Sequence, residues 1–164
     1  MIIRELEEKD AEQYLSMLSQ LDQETKNMMY EPGERSWEID FIYRMIENNQ
    51  QSGSIILLAI EDEKCVGFLS ANRGNYNRIR HAAYIVIGIL QEYQGKGLGS
   101  ALFAELEKWA IRHALIRLEL TVMTHNQAGI NLYKKNGFEI EGLKKRSILV
   151  NNQYVDEYYM AKLL

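Results

Sequence analysis

The sequence predicts an α/β (α+β) fold, in which helices cover both faces of a mixed, mostly antiparallel central sheet of about six to seven strands. Three observations predict it. Stretches rich in β-branched residues alternate with amphipathic helical patterns along the chain. Two pairs of strand candidates are separated by very short connections, which is typical of antiparallel hairpins. An apolar run at residues 81–90 has the composition of a central strand buried on both faces.

The first third of the chain is predicted to hold one short strand and two helices. Residues 2–6 form the strand candidate. Asp10 can cap the first helix, because apolar residues then recur at helical spacing as far as Leu21. A turn with the sequence Glu-Pro-Gly-Glu at 31–34 separates it from the second helix, for which Ser36 is the expected cap.

The middle of the chain is predicted to contribute three strands and a strongly amphipathic helix. Strands at 54–60 and 65–71 flank a short charged turn and therefore form an antiparallel hairpin. The apolar strand at 81–90 follows. Immediately after it, the glycine-rich segment 94–99 leads into a strongly amphipathic helix.

The last third is predicted to be mainly sheet. Residues 115–123 alternate in the manner of a strand, and Asn126 then opens a short helix that ends at the C-cap pair 136–137. Two further strands, 138–150 and 154–163, are joined by a turn.

Composition predicts one domain spanning residues 1–164, since a single proline and no biased tract leave no linker candidate. The net charge of -4 argues against nucleic acid or an anionic membrane as a partner. No signal peptide or membrane-spanning run is present, so the expected location is the cytoplasm. Cys65 is the only cysteine and the three histidines are scattered, so no metal site is expected.

The glycine-rich segment between the fourth predicted strand, 81–90, and the helix that follows it can hold a phosphate. Glycines allow the backbone to approach a ligand closely, and the helix start presents free amides and the positive end of its dipole. The sequence does not match the nucleotide P-loop motif, because Gly97 follows Lys96 where that motif requires Ser or Thr. It does not match the dinucleotide-binding motif either, because Ser100 stands where that motif requires glycine. On these residues alone, an ordinary glycine-bearing turn remains the alternative.

Two motifs together resemble the GNAT superfamily of N-acetyltransferases. The segment 94–99, Gln-Gly-Lys-Gly-Leu-Gly, matches that family's Gln/Arg-x-x-Gly-x-Gly/Ala signature, and residues 126–138 match its second signature. The chain departs from the pattern at Gln91, where proline is common, and around 113–114, where glycine is usual. The resemblance implies a GNAT-like sheet, acetyl-CoA as cosubstrate without a metal, and a tendency to form homodimers.

The implied reaction transfers the acetyl group to a primary amine of a small molecule, polyamine or protein, by direct attack in a ternary complex. A non-catalytic domain that binds or senses acetyl-CoA is the alternative. Implied contacts with the pantetheine arm are Ile87, Gly88, Ile89 and Leu90, with the amide of Ile89 or Leu90 polarising the thioester. Implied contacts with the pyrophosphate are Gln94, Gly95, Lys96, Gly97, Leu98, Gly99 and Ser100.

Two more residues acquire roles from the resemblance. Asn126 is implied to contact the CoA arm, although it could serve only as a helix cap. Tyr133 is implied to bind the cofactor and, as the catalytic residue, to protonate the departing thiolate. The alternative for Tyr133 is packing beside Phe138.

The residues that would bind and deprotonate the acceptor amine are less clearly indicated by the sequence. Amine attack needs a proton acceptor, and no carboxylate occurs at 80–90, so the base stays unassigned. The candidates from the sequence are His81, Tyr84, Glu31, Glu34 and Glu92. The expected substrate contacts are Tyr30, Glu31, Glu34 and Tyr84, whose acidic members would attract a cationic amine unless they simply face solvent.

Overall fold

Seven strands and four α-helices make up the chain, and the computed structural model describes all residues 1–164. In chain order the elements are β1 (Ile2–Glu5), α1 (Ala11–Glu24), α2 (Ile39–Ser52), β2 (Ile55–Glu61), β3 (Lys64–Arg73), β4 (Ala82–Ile89), α3 (Leu98–Arg112), β5 (Arg117–Met123), α4 (Gln127–Lys135), β6 (Glu139–Val150) and β7 (Gln153–Leu163).

All seven strands form one sheet in the order β1-β2-β3-β4-β5-β7-β6. Every neighbouring pair is antiparallel except β4 and β5, which are parallel and connected through α3. The predicted fold class, a mixed and mostly antiparallel sheet of six to seven strands, is therefore confirmed.

The parallel pair β4 and β5 is the irregular part of the sheet. Only three rungs join the strands, the last of them Tyr84 opposite Glu119. On its other edge β4 stays paired with β3 as far as Ile89. The two strands therefore part beyond Tyr84, and the edge of β4 that faces β5 loses its strand partner. We call the space between them the strand gap.

Helices cover both faces of the sheet, as the sequence predicts. Leu102 and Leu106 of α3 are completely buried in the core on one face. Leu18 of α1 and Ile42 of α2 belong to the core on the other face. Each helix covers the sheet with an apolar stripe, which is the usual way amphipathic helices gain stability from burial.

The prediction that β4 is buried on both faces is only partly correct. Ala83 and Ile85 are buried against α3, but Tyr84 on the opposite face is 39% exposed. The α1 and α2 helices do not extend over this point, so the sheet faces a cavity there. The face of β4 that carries Tyr84 is therefore buried along only part of the strand.

The predicted start of α2 is also wrong. The helix begins at Ile39 after the extended residue Glu38, so Ser36 does not cap it. The reason lies in the packing of Trp37, whose ring contacts Tyr30 at 5.9 Å and Phe41 at 4.7 Å between centroids. These contacts fix Trp37 in the loop before the helix and delay the first helical turn.

None of the helices combines the length and apolar character needed to cross a membrane. No group of three or more His, Cys, Asp and Glu side chains is arranged to hold a metal ion.

Candidate active site

Two cavities meet beside the strand gap. The first, which we call the glycine-turn cavity, has a volume of about 440 Å³ and is lined by Gln94, Gly95 and residues 97–100. The second, the aromatic cavity, has a volume of about 350 Å³ and lies on the sheet face that α1 and α2 partly cover. Both are lined by Asn27, Met28, Ile87, Asn126 and Tyr133. The pair can therefore hold two molecules whose ends touch at these shared residues.

The glycine-turn cavity presents a row of free backbone donors. Gly95 and Gly97 have positive φ angles of 73° and 87°, which only glycine adopts without strain. None of the amide groups of residues 95–100 donates to a backbone oxygen, and Ala101 is the first to do so, to Gly97 at 3.1 Å. These amides lie at the positive end of the α3 dipole, so the turn is suited to bind a phosphate.

Close packing of α3 on α4 brings this turn next to the second signature. A Cβ added at Gly99 would lie 2.8 Å from a methyl carbon of Leu132, so a larger residue would have to displace that side chain. Asn126 precedes α4, and its Oδ1 accepts a hydrogen bond of 3.0 Å from the Gly129 amide. Asn126 thus caps the helix and also lines both cavities.

The free edge of β4 supplies further donors. The Leu90 amide donates to the Val66 carbonyl at 3.0 Å, so its donor is used in the sheet. Because donors alternate along an antiparallel strand, the amides of Ile87 and Ile89 point to the other edge, into the strand gap. Of the two amides predicted to polarise a thioester, only that of Ile89 faces the gap. The Gln94 side chain donates to the Ile89 carbonyl at 2.9 Å and ties the turn to this edge.

Tyr133 lies where the two cavities join. Its side chain is 9% exposed and packs with Phe103 and Phe138, at centroid distances of 6.0 and 6.1 Å. The hydroxyl has no hydrogen-bond partner in the protein yet is not fully covered. Burial raises the pKa of Tyr133 to about 12, with a smaller contribution from Tyr84. At neutral pH the group is therefore a proton donor that faces the cavity junction.

The wall of the aromatic cavity contains a buried ion pair. Arg35 donates from Nε and Nη2 to the two carboxylate oxygens of Asp22, at 2.7 and 3.0 Å. Its guanidinium carbon lies 4.3 Å from the centroid of the Tyr30 ring and 4.5 Å from that of Trp37. The Arg35 side chain is 5% exposed and that of Asp22 is 2% exposed. Cation–π contacts and a bidentate pair together fix the guanidinium in one orientation.

Glu157 of β7 is the only carboxylate that lines the aromatic cavity. Ser147 donates to its Oε2 at 2.7 Å, and Lys144 Nζ lies 3.8 Å from the same oxygen. The other oxygen, Oε1, has no partner in the protein and is not fully covered. Sequence reasoning did not single out Glu157, because one acid in a strand of mixed polarity carries no local signal.

The remaining predicted residues divide between the cavities and the surface. Tyr30 and Tyr84 line the aromatic cavity. Glu31 and Glu34 line neither cavity, and the Glu34 carboxylate accepts a 2.8 Å hydrogen bond from the Glu31 amide within their turn. Four others also line neither cavity: His81, Leu90, Glu92 and Lys96. Binding roles for all of these residues stay predictions.

Comparison with known proteins identifies the family. Residues 16–138 match the model of the acetyltransferase (GNAT) family. The match covers most of the chain, and the chain therefore belongs to the acetyltransferase (GNAT) family. The resemblance inferred from the two motifs is confirmed.

The relatives are enzymes of this class. An L-amino acid N-acetyltransferase of Escherichia coli strain K12 is 38% identical over 108 residues, which are 65% of this chain and 67% of the relative. A spermidine N(1)-acetyltransferase of the same strain is 30% identical over 160 residues, covering 93% of this chain and 80% of the relative. The chain is accordingly an acetyl-CoA-dependent acyltransferase, and a purely non-catalytic role is not favoured.

Solved structures share the fold closely. A GNAT-family acetyltransferase from Streptococcus pneumoniae superposes with a TM-score of 0.94 at 32% identity, covering 99% of this chain and 98% of that one. A Salmonella typhimurium protein solved with its cofactor acetyl-CoA has a TM-score of 0.89 at 21% identity, and the superposition covers 100% of this chain and 94% of that one. At that identity the second likeness concerns the fold alone, which is thus one that accommodates acetyl-CoA.

Proposed function

We propose that this enzyme transfers the acetyl group of acetyl-CoA to the primary amine of a small molecule, by direct attack in a ternary complex. The observation that supports this most is the junction of the two cavities at Tyr133 and the free edge of β4. The relatives named for amino acids and for spermidine both act on compounds with primary amines. The partly enclosed aromatic cavity of about 350 Å³ is of the size that holds a small ligand.

The residues of the glycine-turn cavity suit acetyl-CoA. Its pyrophosphate would be held by the free amides of residues 95–100. Its pantetheine arm would add to the edge of β4 by hydrogen bonds with Ile87 and Ile89, in the manner of an extra strand. Asn126, with its unused Nδ2 donor, would contact the arm at the entrance to α4. Acetyl-CoA supplies an activated thioester at the junction of the cavities.

Two side chains would act as the proton acceptor and the proton donor of the reaction. A primary ammonium first loses one proton to Glu157, directly or through a water molecule, because only the neutral amine is nucleophilic. The amine nitrogen then bonds to the thioester carbon as the C–S bond breaks, while the Ile89 amide stabilises the negative charge on the carbonyl oxygen. Tyr133 gives its proton to the leaving sulfur and recovers one from the nitrogen, so that the net products are the amide, CoA thiol and a protonated Glu157.

Direct attack is favoured over an acetylated enzyme because the chain has no suitable thiol. Cys65 is buried and lines neither cavity. Burial also raises the pKa of its thiol to about 11, which keeps the thiolate scarce at neutral pH.

Two measurements test the proposal. Acetyl-CoA and CoA should raise the melting temperature of the protein, whereas ATP and NAD should not. Release of free thiol from acetyl-CoA should then depend on an added primary amine. Stabilisation by CoA without amine-dependent thiol release from any acceptor would overturn catalysis in favour of an acetyl-CoA-binding role. The cytoplasmic location, the homodimer and the single domain over residues 1–164 stay predictions.

A further inference from the structure

Arg35 has one donor group that the fold does not use. Its Nε and Nη2 are taken by Asp22, whereas Nη1 donates no hydrogen bond within the protein and is not fully covered. The side chain lines the aromatic cavity and is 5% exposed. A buried guanidinium with a free edge is a binding site for a carboxylate or another planar anion.

Glu157 has the opposite charge and the same incomplete pairing. Its Oε2 accepts from Ser147, whereas Oε1 has no partner in the protein and is not fully covered, and Glu157 lines the same cavity as Arg35. The cavity therefore carries one free cationic edge and one free anionic oxygen. The rest of its lining is mainly apolar, including Met28, Met45 and Phe68.

We infer that the acceptor is a free α-amino acid with an apolar side chain. Its carboxylate binds Nη1 of Arg35, its amino group faces Glu157, and its side chain occupies the apolar part of the aromatic cavity. This inference rests on the proposed function, since it names the acceptor for the same site. It assigns Arg35 as the residue that determines acceptor specificity.

The charge arrangement disfavours a polyamine. A polyamine needs a second acidic group, but Asp22 is already paired with Arg35, and Glu31 and Glu34 lie outside the cavity. It would also leave the free edge of Arg35 buried without a partner, which is costly in an apolar site. The carboxylate and ammonium groups of a zwitterion can pair with Arg35 and with Glu157 at the same time.

Matched acceptor pairs test the inference. L-leucine is compared with 3-methylbutylamine, and L-phenylalanine with 2-phenylethylamine, because the members of each pair differ in covalent structure only by the carboxylate. Rates are compared per neutral amine, since the carboxylate also lowers the pKa of the neighbouring ammonium. Spermidine serves as the polyamine. We expect kcat/KM, measured by thiol release, to be higher for each amino acid on the order of 10- to 100-fold, as expected for one hydrogen-bonded charge contact. Equal values within both pairs, or a preference for spermidine, would overturn the inference and leave the proposed function intact.

The variant Arg35→Lys keeps a positive charge beside Asp22 but removes the free edge. We expect it to raise KM for the amino acids by a similar factor, with KM for acetyl-CoA and the stabilisation by CoA unchanged. Arg44→Lys, at an exposed position of α2, is the matched control and should change none of these values. If Arg35→Lys weakened both members of a pair equally, Arg35 would only shape the cavity, and the inference would fail.

A binding measurement separates the two proposals. CoA-loaded protein is titrated with L-leucine and with 3-methylbutylamine by calorimetry. If no amine supported thiol release, the proposed function would fail, yet binding of L-leucine alone would still support the acceptor site. Absence of L-leucine binding would overturn the site independently of catalysis.

Discussion

Tyr84 of β4, which belongs to the last paired rung with β5, shares a hydrogen bond of 2.7 Å between hydroxyl groups with Thr121, two residues beyond its partner Glu119. Both side chains line the aromatic cavity. The bond spans the point at which the strands part, so it limits how far the strand gap opens on this face.

The contribution of this bond can be isolated. Tyr84→Phe and Thr121→Val should each lower the free energy of unfolding by roughly 0.5–1.5 kcal/mol, the usual range for a hydrogen bond between neutral groups. The double variant should cost little more than either single one, because both remove the same interaction. Urea unfolding of the four proteins measures the coupling. Fully additive losses would mean that the two hydroxyls act separately.

Tyr133→Phe tests the proton donor. Phenylalanine preserves the packing with Phe103 and Phe138 but removes the hydroxyl, so stability and CoA binding should be unchanged. Loss of a general acid should lower kcat by roughly 10²- to 10⁴-fold under saturating substrates. A variant with full turnover would remove the catalytic role of Tyr133.

The pH profile gives a second test of the same residue. Because burial raises the pKa of Tyr133 to about 12, the phenol keeps its proton well above the usual tyrosine range near 10. Any fall in kcat caused by its ionisation should therefore begin above pH 10. A loss centred near pH 10 that vanished in Tyr133→Phe would contradict the buried environment.

Glu157→Gln tests the proton acceptor. Glutamine can still accept the hydrogen bond from Ser147, so the local structure should persist, but it cannot take a proton from the ammonium. We expect kcat/KM for the amine to fall roughly 10²- to 10⁴-fold, with KM for acetyl-CoA unchanged. Glu12→Gln, at an exposed position of α1 outside both cavities, serves as the control. Similar activity in the two variants would exclude Glu157 as the base.

Stability should respond to acid through Asp10. Arg4 donates to both carboxylate oxygens of Asp10, at 2.6 and 2.7 Å, and this hydrogen bonding lowers the pKa of that carboxyl. A lowered pKa in the folded state adds stability above the ordinary aspartate range near 3.9 and loses it as pH falls through the folded value. Since Arg4 is partly exposed, Asp10→Asn should cost only roughly 1–2 kcal/mol at pH 7.

Urea unfolding of this variant and of the wild type at pH 7 and at successively lower pH measures the effect. The difference should shrink as the pH falls through the lowered folded-state pKa of Asp10, because the wild type then loses the charge as well. Glu8→Gln, an exposed acid without an ion pair, should stay within about 0.5 kcal/mol of the wild type at pH 7. A difference for Asp10→Asn that did not change with pH would point to hydrogen bonding alone.

The parts of the site that the sequence predicts are the local ones. The glycine-rich turn and the Asn126 cap are made by consecutive residues, so their backbone geometry can be inferred from residue types alone. The strand gap could not be predicted in this way. It depends on where β4 and β5 stop pairing, and no single residue in either strand determines that.

The aromatic cavity is non-local for a different reason. Arg35 lies in a loop, Asp22 in α1 and Glu157 in β7, and only the folded sheet brings these segments together. The sequence singles out Glu31 and Glu34 as acids that would attract an amine, whereas in the fold Asp22 pairs with Arg35 and Glu31 and Glu34 lie in a surface turn. Trp37 falls within the helix predicted to follow Ser36, but it lies in the loop before α2, where its ring contacts Tyr30 and Phe41.

Gly97→Ala tests whether the backbone of the glycine turn, rather than any side chain, binds CoA. A methyl group at Gly97 would meet no atom within 4 Å, so the substitution adds only the strain of a φ of 87°. That strain is roughly 1–2 kcal/mol, and relaxing it would rotate the amides of the turn away from the phosphate. We expect the Kd for CoA, measured by calorimetry, to rise about tenfold or more.

Gly33 provides a matched control, because it has a φ of 86° and also has no neighbour within 4 Å of an added methyl group. It lines neither cavity. Gly33→Ala should lower the stability of the free protein about as much as Gly97→Ala, since the backbone strain is the same, but it should leave the Kd for CoA unchanged. Equal Kd values in the two variants would mean that the orientation of the turn amides does not determine CoA binding, and the proposed phosphate contact would then be wrong.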